Sequence, residues 1–457
     1  MKAQLSGERL ATLSDPAAPF GRLELVERVP FGKELEITRY RLQNGLTILL
    51  LVDRSAPVVS YHTWFRVGSR HEKPGKTGLA HLLEHLMFVE FEGLPGGAFD
   101  AKMEEIGADN NASTWLDFTQ YQESFPKAHL PLVTRLEATR MAKLVLSPDL
   151  VASEKDVVLN ERRYRVDDDV EGKLEEALWA NAFERHTYHH PTIGWEQDIQ
   201  GFSPADCAAF YRTYYAPNNA SLIVVGDIDE AKTLRLISQA YGHIAPAEIP
   251  IEDVLPEPAQ AAPRRLELEL PMATEKVCLA FKGPALGDAD HVACGVLTEI
   301  LAGSRSSRLF RKLISELGLA AEVRAQVGPH KDPSLIEIFV SMRQGQRAEA
   351  GLSLVEEEIE RLQREPVATA EIERAVARAE LGLLGGLETA DGKANTIGFY
   401  ECVTGEPALA FARMSAMRRV VAGDVLRVAR RYFGREASTL VIGRPSNAPS
   451  SATEALS

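Results

Sequence analysis

The chain has 457 residues, enough for two domains with a core each, and its 45% hydrophobic and 25% charged composition is that of an ordinary globular protein. A formal net charge of −14 argues against a nucleic-acid partner, whose phosphates demand basic surface, and an acidic interior would instead favour basic peptides. No apolar run approaches the roughly 18 residues of a membrane span, the best being strand-sized at residues 46–52, so membrane insertion is excluded.

In chain order, a loose start rich in Pro and Gly gives way to residues 37–52, where Asn44-Gly45 between two apolar runs predicts a β-hairpin. Residues 58–67 read as a third strand, followed by a polar turn at 68–75. His62 in the strand and His71 in the turn read as structural. Next, His81-Leu82-Leu83-Glu84-His85 interrupts a run of helix-forming apolar residues. Residues three and four apart share a helix face, so His81, Glu84 and His85 project together while Leu82, Leu83 and Leu86 pack elsewhere. Two imidazoles at i and i+4 can grip one zinc ion. A catalytic zinc takes three protein ligands and keeps a position for water, and a nearby carboxylate that binds no metal can take that water's proton, a task for which Glu84 is placed. The competing reading, two structural histidines and an incidental glutamate, is weakened by the metal spacing in a chain with only 11 histidines.

Residues 97–107 predict a short helix stopped by Gly107. An extended segment opens at 108–115, runs on to 125, and reads as a strand near the histidine helix. Ser147-Pro148 starts a helix reaching about Arg165, and Glu154 and Glu161, two turns apart, share one of its faces. Asp167-Asp168-Asp169 lacks calcium-loop spacing and reads as a solvated turn. His186, His189 and His190, beside Pro191, read as structural or surface residues. A helix around 206–215 and a strand at 220–226 close the first half, and Pro and Glu richness marks 245–265 as an extended linker.

Beyond the linker the plan recurs. The strand at 276–282 echoes that at 60–67, the helix at 292–301 stands where the histidine helix stood, 307–318 mirrors the helix ending at Gly107, and 425–443 repeats the helix and strand of 210–226. The prediction is an α+β chain of two homologous domains, 1–244 and 266–445, each a mainly antiparallel sheet flanked by helices, with a disordered tail at 446–457. The second copy offers Val296, Glu299 and Ile300 in place of metal ligands, so zinc chemistry falls to the first. Cys207, Cys278, Cys294 and Cys402 have no metal-type spacing and read as small buried apolar residues. Residues 2–9 lack the apolar core of a signal peptide, which leaves a cytosolic protein or an exported one whose leader has been removed.

The third ligand has to come from elsewhere in the fold, and Glu161 is the candidate. An inverted H-x-x-E-H on a helix, followed well downstream by a carboxylate with another seven residues before it, resembles the inverzincin metallopeptidases of the pitrilysin, insulinase and mitochondrial processing peptidase family. The resemblance extends from about Thr38 to Gly443. In that family two-domain halves close as a clam shell around a chamber, and this chain is expected to form half of such a shell. The resemblance implies that His81, His85 and Glu161 bind one zinc ion per chain, that Glu84 is the general base, and that Glu154 supports a ligand histidine. Taken alone, Glu154 and Glu161 are equally two acids on a charged helix face. Asn111-Ala112-Ser113-Thr114 resembles the family's edge strand, whose main chain pairs with an extended substrate.

One departure matters. Active relatives carry an Arg and a Tyr seven residues apart in the second half, where they contact substrate and the developing oxyanion; here those positions hold Ile314 and Ala321, which donate no side-chain hydrogen bond. The chain thus resembles the zinc-bearing subunit of bacterial members that divide the two functions. That implies a zinc-dependent endopeptidase of unfolded peptides in the bacterial cytoplasm or periplasm, soluble, partnered by a paralogous subunit carrying the Arg/Tyr pair, or a homodimer in its absence. Were the lone chain active, Arg311 or Arg324 would be the nearby substitutes. The alternative is a non-catalytic assembly or binding subunit of a larger complex, as some relatives are.

Overall fold

The computed structural model of the chain describes residues 10–252 and 254–446; the segment at 2–9 and the tail at 447–457 lie outside the described residues. Among these, twelve strands form two sheets. The first contains β1 (Leu23–Phe31), β2 (Leu35–Leu42), β3 (Thr47–Val52), β4 (Val58–Phe65), β5 (Asp109–Thr114), β6 (Thr119–Pro126) and β7 (Ala220–Gly226), in the order β1-β2-β3-β7-β4-β6-β5. The second contains β8 (Arg264–Leu270), β9 (Lys276–Lys282), β10 (Ala320–Val327), β11 (Leu335–Met342) and β12 (Ser438–Pro445), in the order β10-β11-β9-β12-β8. All neighbours are antiparallel except β3 with β7 and β8 with β12. Set side by side, β3-β7-β4-β6-β5 and β8-β12-β9-β11-β10 are one topology used twice, and the first sheet adds β1 and β2. The fold is mixed α+β, with helices flanking both sheets.

The apolar pattern explains which strands lie inside. Thr-Ile-Leu-Leu-Leu-Val of β3 and all of β7 are buried or nearly so, as continuous apolar strands covered on both faces must be. The Asn44-Gly45 turn forms as its composition predicts, with Gly45 at φ +90 and the buried Asn44 amide donating to Tyr241 O and Ile244 O. Two sequence readings change. The start described as loose contains β1, whose alternation of Glu and Arg with Leu and Val suits a partly exposed strand at the sheet margin. The segment read as one strand over 108–125 is two, because Trp115 N bonds Phe118 O and turns the chain back as the β5–β6 hairpin.

By compactness the chain divides into two units, each discontinuous in sequence. One takes the described residues up to Leu159 with Thr192–Val254 and Gly382–Ala412; the other takes Asn160–Pro191, Leu255–Leu381 and the described residues from Arg413 onward. Each compact unit thus combines segments from before and after the stretch 245–265. In the first unit, helix Ala390–Thr404 packs on β4 and β7, tied by Asp391 to His62, Lys393 to Asp53, and Glu401 to Arg39 and Arg66. In the second, helix Val170–Ala182 packs on β12, β9 and β8, and Asp169 caps it by accepting from Gly172 N at 2.6 Å. The Asp167-Asp168-Asp169 turn is therefore in part a helix cap.

Among the described residues, 245–263 form no helix or strand, yet the stretch is anchored within each unit. Glu252 pairs with Arg70 at 3.0 Å, and the Glu257 carboxylate accepts the successive backbone N–H groups of Glu184, Arg185 and His186. All four cysteines are buried. No helix among the described residues is long and apolar enough to cross a membrane.

Candidate metal centre

Helix Leu79–Leu86 sits in the first core with Leu79, Ala80, Leu82, Leu83 and Leu86 buried. Its start is fixed by close approach: Gly78 (φ +91) and Gly194 (φ +87) face each other so tightly that a Cβ on Gly194 would meet Thr77 O at 2.2 Å. The buried Glu72 carboxylate accepts from Gly78 N at 2.8 Å and Ala80 N at 2.7 Å, placing a negative charge where the helix leaves donors unsatisfied. This anchoring orients the face that bears His81, Glu84 and His85. The His81 and His85 rings lie 4.8 Å apart, centre to centre.

Helix Pro148–Arg162 supplies the carboxylates. Ser147 Oγ accepts from Leu150 N at 3.3 Å to begin it, and Val151 and Val158 bury its core side. Glu154 Oε2 comes within 3.6 Å of His85 Nδ1, and Glu161 pairs with Arg165 at 3.1 Å. One ligand atom each from His81, His85 and Glu161 lies within 4.8 Å of the others, the one such group of histidine, cysteine or acid among the described residues. Two imidazoles and a carboxylate converging at this spacing are a donor set of the kind zinc takes. These residues fit zinc.

Beside the triad, Thr114 Oγ donates to Glu84 Oε2 at 2.6 Å. Thr114 ends β5, the edge strand of the first sheet, so Asn111 to Thr114 run up to the Glu84 carboxylate with one side of their main chain unpaired in the sheet order. Beneath lie two buried phenols, Tyr121 and Tyr215, whose hydroxyls are 3.3 Å apart. Burial raises the pKa of both well above the ordinary phenol value, with the Glu84 charge adding to the effect, so they stay protonated. The Thr114 contact and the tyrosine pair were not legible beforehand; the period-2 pattern of residues 119–125 was the available signal for Tyr121.

Other sequence candidates have structural surroundings. His62 bonds Ser60 and Asp391, both at 3.0 Å from Nε2, and His186 Nε2 lies 3.0 Å from Asp332. In the second sheet's unit, Val296 and Ile300 are buried and Glu299 pairs with Arg378. Ile314 packs half-buried on the second core, while Ala321 is exposed on β10. Arg311 pairs with Glu316, and Arg324 lies 3.8 Å over the Phe339 ring while bonding Glu322 and Glu171.

Comparison with known proteins agrees with this architecture. Residues 47–195 match the sequence profile described as Insulinase (Peptidase family M16), and residues 201–379 match that described as Peptidase M16 inactive domain. A Helicobacter pylori protein named zinc protease PqqE is 29% identical over 411 residues, spanning 88% of this chain and 92% of that one. A Streptomyces coelicolor protein named as an uncharacterized zinc protease is 27% identical over 414 residues, 89% of each chain. The crystal structure of a protease from Helicobacter pylori superposes with a TM-score of 0.85 at 28% identity, covering 92% of this chain and 99% of that one. Two matched profiles in tandem, full-length relatives named zinc proteases and a shared duplicated fold lead to one conclusion: the chain belongs to the insulinase, or M16, family of peptidases.

Proposed function

We propose that this chain is a zinc-dependent endopeptidase of unfolded peptides and the catalytic subunit of a two-subunit enzyme. The observation that carries the proposal is the grouping of His81, His85 and Glu161 with Glu84 held beside them by the end of an edge strand. His81, His85 and Glu161 would hold the ion, and Glu154 would steady the His85 ring through Nδ1. Zinc bound there supplies Lewis acidity that polarises the scissile carbonyl and eases deprotonation of water. An extended substrate would add to β5 along Asn111, Ala112, Ser113 and Thr114, which a folded protein cannot do without exposing a strand. Glu84 would take the proton of the attacking water and deliver it to the leaving amine, with the Thr114 hydroxyl fixing its orientation.

The need for a partner rests on Ile314 and Ala321, neither of which has a side-chain donor for a developing oxyanion. The same absence favours a second reading, a non-catalytic assembly subunit, and the complete metal triad with its own base weighs against it. Glu84→Gln separates the two. It is expected to retain stoichiometric zinc and lose peptide cleavage in the presence of any required partner; cleavage at the wild-type rate would remove Glu84 from the mechanism, and failure of the wild type to take up zinc would favour the assembly role.

A further inference from the structure

Building on the peptidase reading, we propose that Asp100 gives the site a preference for lysine or arginine one or two residues from the scissile bond. A cleft of about 450 Å³ opens beside Glu84 and His85, formed wholly by residues of the first compact unit. Phe88, Val89 and Ala112 make its apolar wall, and Gly96 and Gly97 form a side without side chains. Phe88 is braced by Phe99 and Tyr121, each 5.9 Å away between ring centres. Gly97 adopts φ +76 ahead of helix Ala98–Glu105, and a Cβ there would meet nothing within 4 Å, so the chain turns without closing the opening.

Among the described residues, the carboxylates around this cleft are Glu84, Glu154 and Asp100, and no lysine or arginine lines it. Glu84 is engaged by Thr114, and Glu154 faces His85. Asp100 is exposed in the first turn of its helix and accepts one bond, from Asn110 Nδ2 at 3.2 Å, which leaves its carboxylate with acceptor capacity. Alternation along β5 puts Asn110, Ala112 and Thr114 on one face. Thr114 marks the base and Asn110 marks Asp100, about 13 Å apart along the strand at its usual rise.

A substrate strand laid on β5 therefore reacts at the Thr114 end, while the side chain one or two residues along enters the cleft. Lysine and arginine suit it, since the methylene stem lies on Phe88 and Val89 and the charged head reaches Asp100. An acidic side chain would face three carboxylates.

The test is equilibrium binding of short unstructured peptides to the zinc-loaded full chain carrying Glu84→Gln, in which turnover is blocked. On an alanine background, one scanned position holds lysine, norleucine or glutamate. At one position lysine is expected to bind roughly two- to fivefold tighter than norleucine, and glutamate weaker. Adding Asp100→Asn should erase the lysine advantage and leave the norleucine affinity unchanged, and Asp100→Lys should turn the preference toward glutamate. Equal binding of lysine and norleucine, no binding of any peptide, or a lysine advantage that survives Asp100→Asn would overturn the proposal. Cleavage mapped with wild-type Glu84, alone and with a paralogous subunit, keeps the two readings apart. Cuts without a basic preference would leave the peptidase standing and remove Asp100's role, whereas lysine-selective binding without any cuts would keep Asp100 and remove the chemistry.

Discussion

Thr114 Oγ donates to Glu84 Oε2 over 2.6 Å, which ties the proposed substrate strand to the proposed base. A hydrogen bond to a charged carboxylate contributes enough that Thr114→Val should lower kcat about tenfold or more while zinc content stays unchanged. Equal kcat in the variant would make the contact incidental. Glu154 is expected to act on the metal and not on the proton: Glu154→Gln should weaken zinc binding by about ten- to a hundredfold in competition with a chelator. His81, Glu84 and His85 were legible as a set because helix periodicity is local, and five consecutive residues suffice to place three side chains on one face. Thr114 was recognisable only as part of a strand, since nothing in its neighbourhood states that Glu84 lies opposite.

At the scale of elements, buried histidines report how tightly a helix is seated. His291, on helix Ala289–Ala302, is buried with Nε2 3.1 Å from Gly328 O and Nδ1 2.8 Å from an Arg413 nitrogen. This fits a neutral ring that donates to the carbonyl and accepts from the guanidinium. Burial, and then the Arg413 charge, push its pKa down to about 4. An unfolded histidine titrates near 6.5, so the neutral ring's contribution is complete above that pH, declines as pH falls toward 4, and is lost below it; the loss is on the order of 3 kcal/mol. Urea midpoints measured at about pH 7 and about pH 4.5 should therefore differ less in His291→Gln than in the wild type. A variant with the full wild-type pH dependence would exclude this ring as the source. Among the elements themselves, β3 was readable from its apolar run Ile48 to Val52, and β4 from its richness in β-branched and aromatic residues. The polar margin strand β1 and the reversal between β5 and β6 were not, because a strand half in solvent has weak patterning and Trp115-Leu116-Asp117-Phe118 lacks the Gly or Pro that usually marks a turn.

Across the whole molecule, one topology appears twice, and among the described residues only the first copy brings two histidines and a carboxylate, His81, His85 and Glu161, within 4.8 Å of one another. With Ile314 and Ala321 at the second copy's donor positions, the purified chain should be weakly active, and a paralogue bearing Arg and Tyr there should raise peptide cleavage on the order of a hundred- to a thousandfold on mixing. Full activity of the lone chain would end the two-subunit proposal. The duplication, the mixed α+β class and the helix carrying His81, Glu84 and His85 were determined by the amino-acid sequence alone, because repeats and periodicity are properties of residues near one another along the chain. Tertiary structure decided the rest: the approach of Glu161 to the two histidines, the edge position of β5, and the helices that each repeat lends to the other's sheet. Those features depend on which strands pair and which helices pack across long stretches of chain, and that pairing is settled by burial of the whole core, which no local pattern encodes.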